Sequence, residues 1–220
     1  MTPPPFQVQI LPVTPFQQNC SIIKTASGKI ALVDPGGEPD KILEAVAKIG
    51  GKIEKIWLTH GHLDHAGGAA EIKRQTGCLI EGPHKEDIFW LDQIEESWRK
   101  YGHPGMGENV HSDRWLDDGD SVELDGIKFD VLFTPGHTPG HVVFYNKDTQ
   151  LAFVGDVLFK GSIGRTDFPR GDHQTLLDSI TQKLWPLGNK TRFVPGHGPM
   201  SSFGEERRSN PFVGDQAIGQ

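Results

Sequence analysis

Long apolar runs are missing from this chain of 220 residues: no stretch approaches the ~18 residues that cross a bilayer, and the opening MTPPPFQVQ has no basic segment followed by an apolar one. A membrane partner and export are therefore not expected, and a soluble, cytoplasmic protein is. Cysteine is nearly as scarce. Cys20 and Cys78 lie far apart in strand-like segments, which predicts two buried free thiols in a reducing compartment and argues against a disulfide framework. Basic clusters are few and short against a net charge of −7, so no nucleic-acid partner is expected. No solenoid-length repeat, low-complexity tract or interdomain break is visible. Residues 1–220 are read as one domain with a substantial core.

What is present is a succession of short strand-like segments. FQVQILPV, CSIIKT and IALVDPGG carry β-branched or alternating apolar residues broken by turn signals. PDKILEAVAKIG has apolar residues at helical spacing and stops at Gly50–Gly51. The strand IEKIWL follows, then a helix over GGAAEIKRQTG and a short strand CLIEG. From His84 to Asp120 the pattern is irregular, with Phe89, Trp90, Trp98, Tyr101 and Trp115 among charges and glycines. It reads as helical turns and loop laid over one face, a candidate substrate lid. Strands resume in KFDVLFTPGH, HVVFYN and LAFVGD, a helix is predicted over HQTLLDSITQKLW, and TRFVPGHG is a last strand. The ends MTPPP and SNPFVGDQAIGQ are expected to be ordered only in part. Strands in runs with few helices between them point to an α/β layered fold, two mixed sheets with outer helices.

Chemistry concentrates in THGHLDH, Thr59 to His65, directly after IEKIWL. His60 and His62 are two apart, so in an extended segment their rings share one side and can share one ion. Asp64 and His65 follow where the chain turns toward Gly67–Gly68 and can face a second ion. Imidazole and carboxylate ligands suit Zn²⁺, and equally Fe or Mn, while the lack of nearby cysteine argues against a sulfur-rich structural zinc. Four groups cannot complete two sites. The missing ones are available at later strand ends: His137 in FTPGHTPGH, Asp156 in LAFVGD and His197 in RFVPGHG.

In this order, THGHLDH, TPGHTPGH, GD and PGHG resemble the metallo-β-lactamase superfamily over nearly the whole chain, and within it the short-form hydroxyacylglutathione hydrolases (glyoxalase II), which lack a C-terminal glutathione-binding helical domain. The resemblance implies an αββα four-layer sandwich. It implies that His60, His62 and His137 hold one divalent metal, that Asp64, His65 and His197 hold a second, and that Asp156 bridges both. Asp64 and Asp156 are then the carboxylates of the catalytic centre. Five neutral imidazoles and two carboxylates against two divalent ions and one bridging hydroxide leave the cluster near +1, suited to an oxyanion. Water ionised there would attack the thioester of S-lactoylglutathione or a related S-2-hydroxyacylglutathione, releasing glutathione and a hydroxy acid.

Further residues take secondary parts. The resemblance implies that Asp34, closing IALVD, hydrogen-bonds a ligand histidine and fixes its tautomer. Thr59 and Thr138 are expected to hold loops. His141 shares a motif with His137 but opens the next strand, and His84, His103, His111 and His173 are not expected to be ligands. Arg165 stands where long-form relatives have a glutathione-binding lysine, so a carboxylate contact is expected there; Asp167 replaces their tyrosine and can instead pair with Arg165. The alternatives are a mononuclear-iron persulfide dioxygenase of the same fold, which would need one ion only, and a lactonase or β-lactamase.

Overall fold

The computed structural model describes residues 4–218. Its first sheet runs in the order β1 (Phe6–Val13), β2 (Gln18–Thr25), β3 (Lys29–Val33), β4 (Lys52–Trp57) and β5 (Leu79–Glu81). The first three strands are antiparallel and the last three parallel, so the sheet is mixed. In the second sheet β6 (Ser121–Leu124), β7 (Ile127–Phe133), β8 (Val142–Asn146) and β9 (Leu151–Gly155) are antiparallel neighbours. A small hairpin, β10 (Leu158–Phe159) with β11 (Ser162–Ile163), leaves the end of β9. Then β12 (Arg192–Pro195) joins β9 in parallel, and β13 (Ser201–Ser202) closes the edge.

Side-chain alternation explains why the sheets stack and why their strands read as unbroken apolar runs. Every residue of VVFYN in β8 and LAFVG in β9 is buried, because each strand is covered on both faces. Val142, Phe144, Leu151 and Phe153 meet Ala31, Val33 and Trp57 of the first sheet in the core between the sheets. Val143, Tyr145, Ala152 and Val154 point the other way, onto an outer helical layer. Each such fully buried large side chain contributes about 1.5–3 kcal/mol by leaving water.

The first sheet's outer face carries Ile30, Leu32, Ile53 and Ile56. It is covered from α1 (Pro39–Ile49), α2 (Leu63–Ala66), α3 (Ala69–Thr76), α4 (Ile88–Leu91) and α5 (Ile94–Lys100), through Ile42, Ala66, Ile72, Leu91 and Trp98 among others. In α1 the buried Ile42, Ala45 and Val46 form one stripe, Asp40 and Lys48 complement the helix dipole, and Gly50 ends it at φ 68°. Over the second sheet lie α6 (His173–Asp178), α7 (Phe203–Ser209) and α8 (Asp215–Ile218). The layers are therefore helix, sheet, sheet, helix, the αββα sandwich expected. Cys20 and Cys78 are both free and buried, and no helix among the described residues is long and apolar enough to cross a membrane.

One expectation needs correction. The helix expected over HQTLLDSITQKLW starts on Asp172, whose side chain accepts from the Thr175 amide, but after Asp178 it widens into a π-helical turn, Ser179–Leu184, and ends in a 3₁₀ turn, Trp185–Leu187. That widening puts Ile180, Leu184 and Trp185 all into the outer core, which a regular 3.6-residue repeat would not. The C-terminal stretch SNPFVGDQAIGQ is described through residue 218. Val213 is fully buried, and Asn210 donates to the carbonyl of Ser162 at 3.0 Å. Of MTPPP, the first three residues lie outside the described ones.

Candidate metal centre

All the candidate ligands leave strands at one edge of the sandwich. Asp34 follows β3, and the stretch 60–65 follows β4 and enters α2; His137, Asp156 and His197 follow β7, β9 and β12. The turns there are tight enough to demand glycine: a Cβ on Gly36 would stand 1.5 Å from the Asp64 carbonyl oxygen, and one on Gly196 would stand 2.1 Å from Asp156 Oδ1.

Three imidazoles converge first. His60 Nε2 and His137 Nε2 stand 3.1 and 3.0 Å from His62 Nδ1. Their outward nitrogens settle the tautomers of two of them. Thr59 Oγ1 donates to Asp34 Oδ2 at 2.6 Å, so its oxygen is left to accept from His60 Nδ1–H at 3.0 Å. His137 Nδ1–H donates to the Arg165 carbonyl at 2.7 Å. Both Nε2 lone pairs are thus directed at one point, as a cation requires; nitrogens held at ~2.0–2.1 Å in a tetrahedron would lie about 3.3 Å apart.

A second group forms beside it. His197 Nε2 lies 3.2 Å from Asp64 Oδ2, and His65 Nε2 lies 3.9 Å from the same oxygen. His65 Nδ1–H donates to Asp34 Oδ2 at 2.9 Å, and His197 Nδ1–H to the Phe16 carbonyl at 3.1 Å. Asp156 stands between the groups: its carboxylate is 3.6 Å from His137 Nε2, 3.3 Å from His65 Nε2 and 3.7 Å from His197 Nε2. Two of these inward atoms, His65 Nε2 and Asp156 Oδ1, are buried and make no hydrogen bond among the described residues. Such orphaned groups are costly unless an ion satisfies them, and a donor set of imidazole and carboxylate fits a divalent cation.

The electrostatics divide the imidazoles. Burial, reinforced by neighbouring imidazoles, holds His60 and His62 well below the ordinary histidine range, and burial lowers His137 too. Burial opposes charge on His65 as well, yet the Asp156 and Asp64 carboxylates and the bond to Asp34 raise it well above that range; Asp64 and Asp156 raise His197 likewise. Against its own burial, Asp156 is held far below the usual carboxylate range by His65, His197 and His137.

Residues 13–197 match the metallo-beta-lactamase superfamily. The chain belongs to that superfamily. The hydroxyacylglutathione hydrolase GloC of Haemophilus influenzae is 42% identical over 211 residues, covering 96% of this chain and 99% of its own. The probable metallo-hydrolase YqgX of Bacillus subtilis is 35% identical, covering 92% and 95%. Among solved structures, the BLEG-1 B3 metallo-beta-lactamase superposes with a TM-score of 0.87 at 32% identity, covering 94% of this chain and 99% of its own. TTHA1623 in a di-iron-bound form gives 0.84 at 36% identity, covering 94% and 100%. The protein is a metallo-hydrolase of the metallo-beta-lactamase superfamily, with His and Asp groups arranged as divalent-metal sites.

The remaining expectations about the centre divide. His141 is fully buried beside His60, but its Nε2 accepts the Asp156 amide at 3.1 Å, so that lone pair is turned away from the ligand groups. His84, His103, His111 and His173 belong to none of the groups that could hold an ion among the described residues. Asp34 accepts from His65 and from both the amide and hydroxyl of Thr59, from a left-handed backbone at φ 52°. Arg165 borders the cleft of about 680 Å³ that opens over the ligands, but Asp167 grips its guanidinium through two bonds of 2.6 Å, and it lies 4.4 Å over the Phe168 ring. The irregular segment from His84 to Asp120 splits in use: Trp90 and Tyr101 line the cleft, whereas Trp98 is buried in the helical core.

Four residues around the centre have no sequence motif that ties them to it, although Trp90 falls in the aromatic-rich segment. Asn19 Nδ2 donates to the carbonyls of Pro195 and Gly198 and so braces the His197 turn. Trp90 and Phe168 set their rings edge-on to His62, each 4.6 Å away. A fully buried Asp87 reaches the loops on both sides of the first ligand group.

Proposed function

We propose that the protein is a dinuclear metallohydrolase that cleaves S-2-hydroxyacylglutathione thioesters, such as S-lactoylglutathione, to glutathione and a hydroxy acid. The observation that supports this reading most is the pair of ligand groups joined by Asp156. His60, His62 and His137 would hold one divalent cation, most simply zinc, and Asp64, His65 and His197 a second. When bound, such a pair ionises water near neutral pH and polarises an acyl oxygen.

The chain's own residues prepare the rest. Asp34 and Thr59 keep protons on His65 Nδ1 and His60 Nδ1, so that the opposite nitrogens stay free to coordinate. Trp90 and Phe168 close an apolar wall against His62, which keeps bulk water from one side of the reacting centre. The likeness to a hydroxyacylglutathione hydrolase along nearly the full length of both chains supports the thioester as substrate. The two free buried thiols suit a cytoplasmic location.

Purified protein, stripped with a chelator and reloaded with zinc, is expected to remove the ultraviolet absorbance of S-lactoylglutathione only when loaded; no metal-dependent loss would end this reading. A persulfide dioxygenase using one iron is disfavoured by Asp64, His65 and His197 standing as a second complete group of three. Oxygen consumption with glutathione persulfide distinguishes the two. Lactone and lactam hydrolysis belong in the same panel, since BLEG-1 bears the name of a β-lactamase.

A further inference from the structure

Asp87 is a fully buried carboxylate that belongs to neither ligand group. Its Oδ2 accepts from the Gly61 amide at 2.9 Å and from Thr138 Oγ1 at 2.7 Å, and its Oδ1 accepts from the Gly140 amide at 2.5 Å. Gly61 separates His60 from His62, and Thr138 follows His137. One side chain therefore ties together the two loops that supply the first group. Both loops press against it at glycine: a Cβ on Gly61 would stand 2.9 Å from the Asp87 carbonyl oxygen, and one on Gly140 would stand 2.6 Å from the Asp87 nitrogen. Neither loop can be shifted outward by a bulkier residue without breaking the contact.

A buried carboxylate carries a heavy desolvation cost, so filling space here would be better served by an apolar side chain. The three donors offset that cost, and hydrogen bonds to an ionised oxygen are roughly twice as strong as neutral ones, which makes the tie stiff. Stiffness matters because His62 Nδ1 and His137 Nε2 lie 3.0 Å apart, and a metal site tolerates displacements of only about 0.2 Å in its ligand distances.

We propose that Asp87 is a positioning residue that fixes the spacing between the His62 and His137 loops and thereby sets the cation affinity of the first ligand group while leaving that of the second unchanged. The inference rests on the two-cation reading above. It asks something that reading leaves open, namely what holds two loops from different sheets at coordination distance.

Asp87→Asn keeps the shape but replaces one accepting oxygen with an amide that cannot accept. Titrating the chelator-stripped protein with Co²⁺ and following the ligand-field absorption, with a competing chelator to set the scale, yields two stepwise binding constants. One is expected to weaken on the order of tenfold or more, the other to stay within about twofold of the parent protein. Thr138→Ala, which removes one of the three donors, is expected to weaken the same constant by less, and it carries the test if Asp87→Asn does not fold. Unchanged constants, or an equal fall in both, would overturn the proposal, as would a drop in the unfolding temperature of the stripped variant with parental cobalt binding, the mark of a purely structural residue. Absence of thioester hydrolysis in a parent protein that binds two cobalt ions would count against the substrate only; a parent that binds none removes both readings.

Discussion

His60, His62 and His137 are deeply buried imidazoles whose proton affinity is lowered chiefly by burial, whereas Asp64, His65 and His197 mix a carboxylate with imidazoles whose proton affinity neighbouring carboxylates raise, and the His197 side chain keeps 29% of its surface exposed. The first group has no proton to give up before a cation enters. A cation entering the second would compete with protons more strongly, through a member that reaches solvent. On the two-cation reading, surroundings alone would tune the two groups differently, one toward retention and the other toward response to conditions.

The difference can be broken most severely at the residue common to both sides. Asp156→Ala is expected to weaken both cobalt-binding constants and to lower kcat/KM for S-lactoylglutathione on the order of 10³-fold, the equivalent of the several kcal/mol that metal assistance supplies. A selective loss at one group would mean that Asp156 does not join them. Asp34→Ala removes the acceptor of His65 Nδ1–H, and a partner of that kind is worth about 10- to 100-fold in metal affinity. The loss should fall more heavily on the second group, because the first feels Asp34 only through Thr59.

Acidity sharpens the contrast without mutation. The second-group imidazoles are raised above the ordinary histidine value, so protons compete there first as pH falls, while the lowered first-group imidazoles stay unprotonated further down. Calorimetric titration at about pH 8 and about pH 6 should show one binding constant weakening and the other nearly constant; parallel weakening would contradict the division. The smallest effect is expected at the cleft rim. Asp167→Asn weakens the grip on Arg165, and KM for a thioester of a carboxylate-bearing thiol should fall a few-fold while that for an uncharged thiol does not move.

Much of this was legible in the residues themselves. Strands covered on both faces leave unbroken apolar runs, and a ligand at a strand end follows such a run directly, so β4 with His60, β9 with Asp156 and β12 with His197 could be read locally. The supports could not. Asp87 sits in KEDIFW with no spacing relation to Gly61 or Gly140, and Asn19 meets Pro195 only because β2 and β12 end at the same edge. Short elements escaped for a different reason: β6, β10, β11 and β13 have two to four residues each, too few to show a period, and the π-turn after Asp178 departs from the period a helix is recognised by.

The ligands also straddle the sandwich, with His60, His62, Asp64 and His65 extending from the first sheet and His137, Asp156 and His197 from the second. An ion held among them would rivet one half of the molecule to the other, so that prising the halves apart would mean ejecting it. A free cation at a hundred times its dissociation constant would add about 2.7 kcal/mol to the cost of unfolding. In a cell starved of metal, the protein would then lose durability together with activity, and its abundance would follow the metal supply.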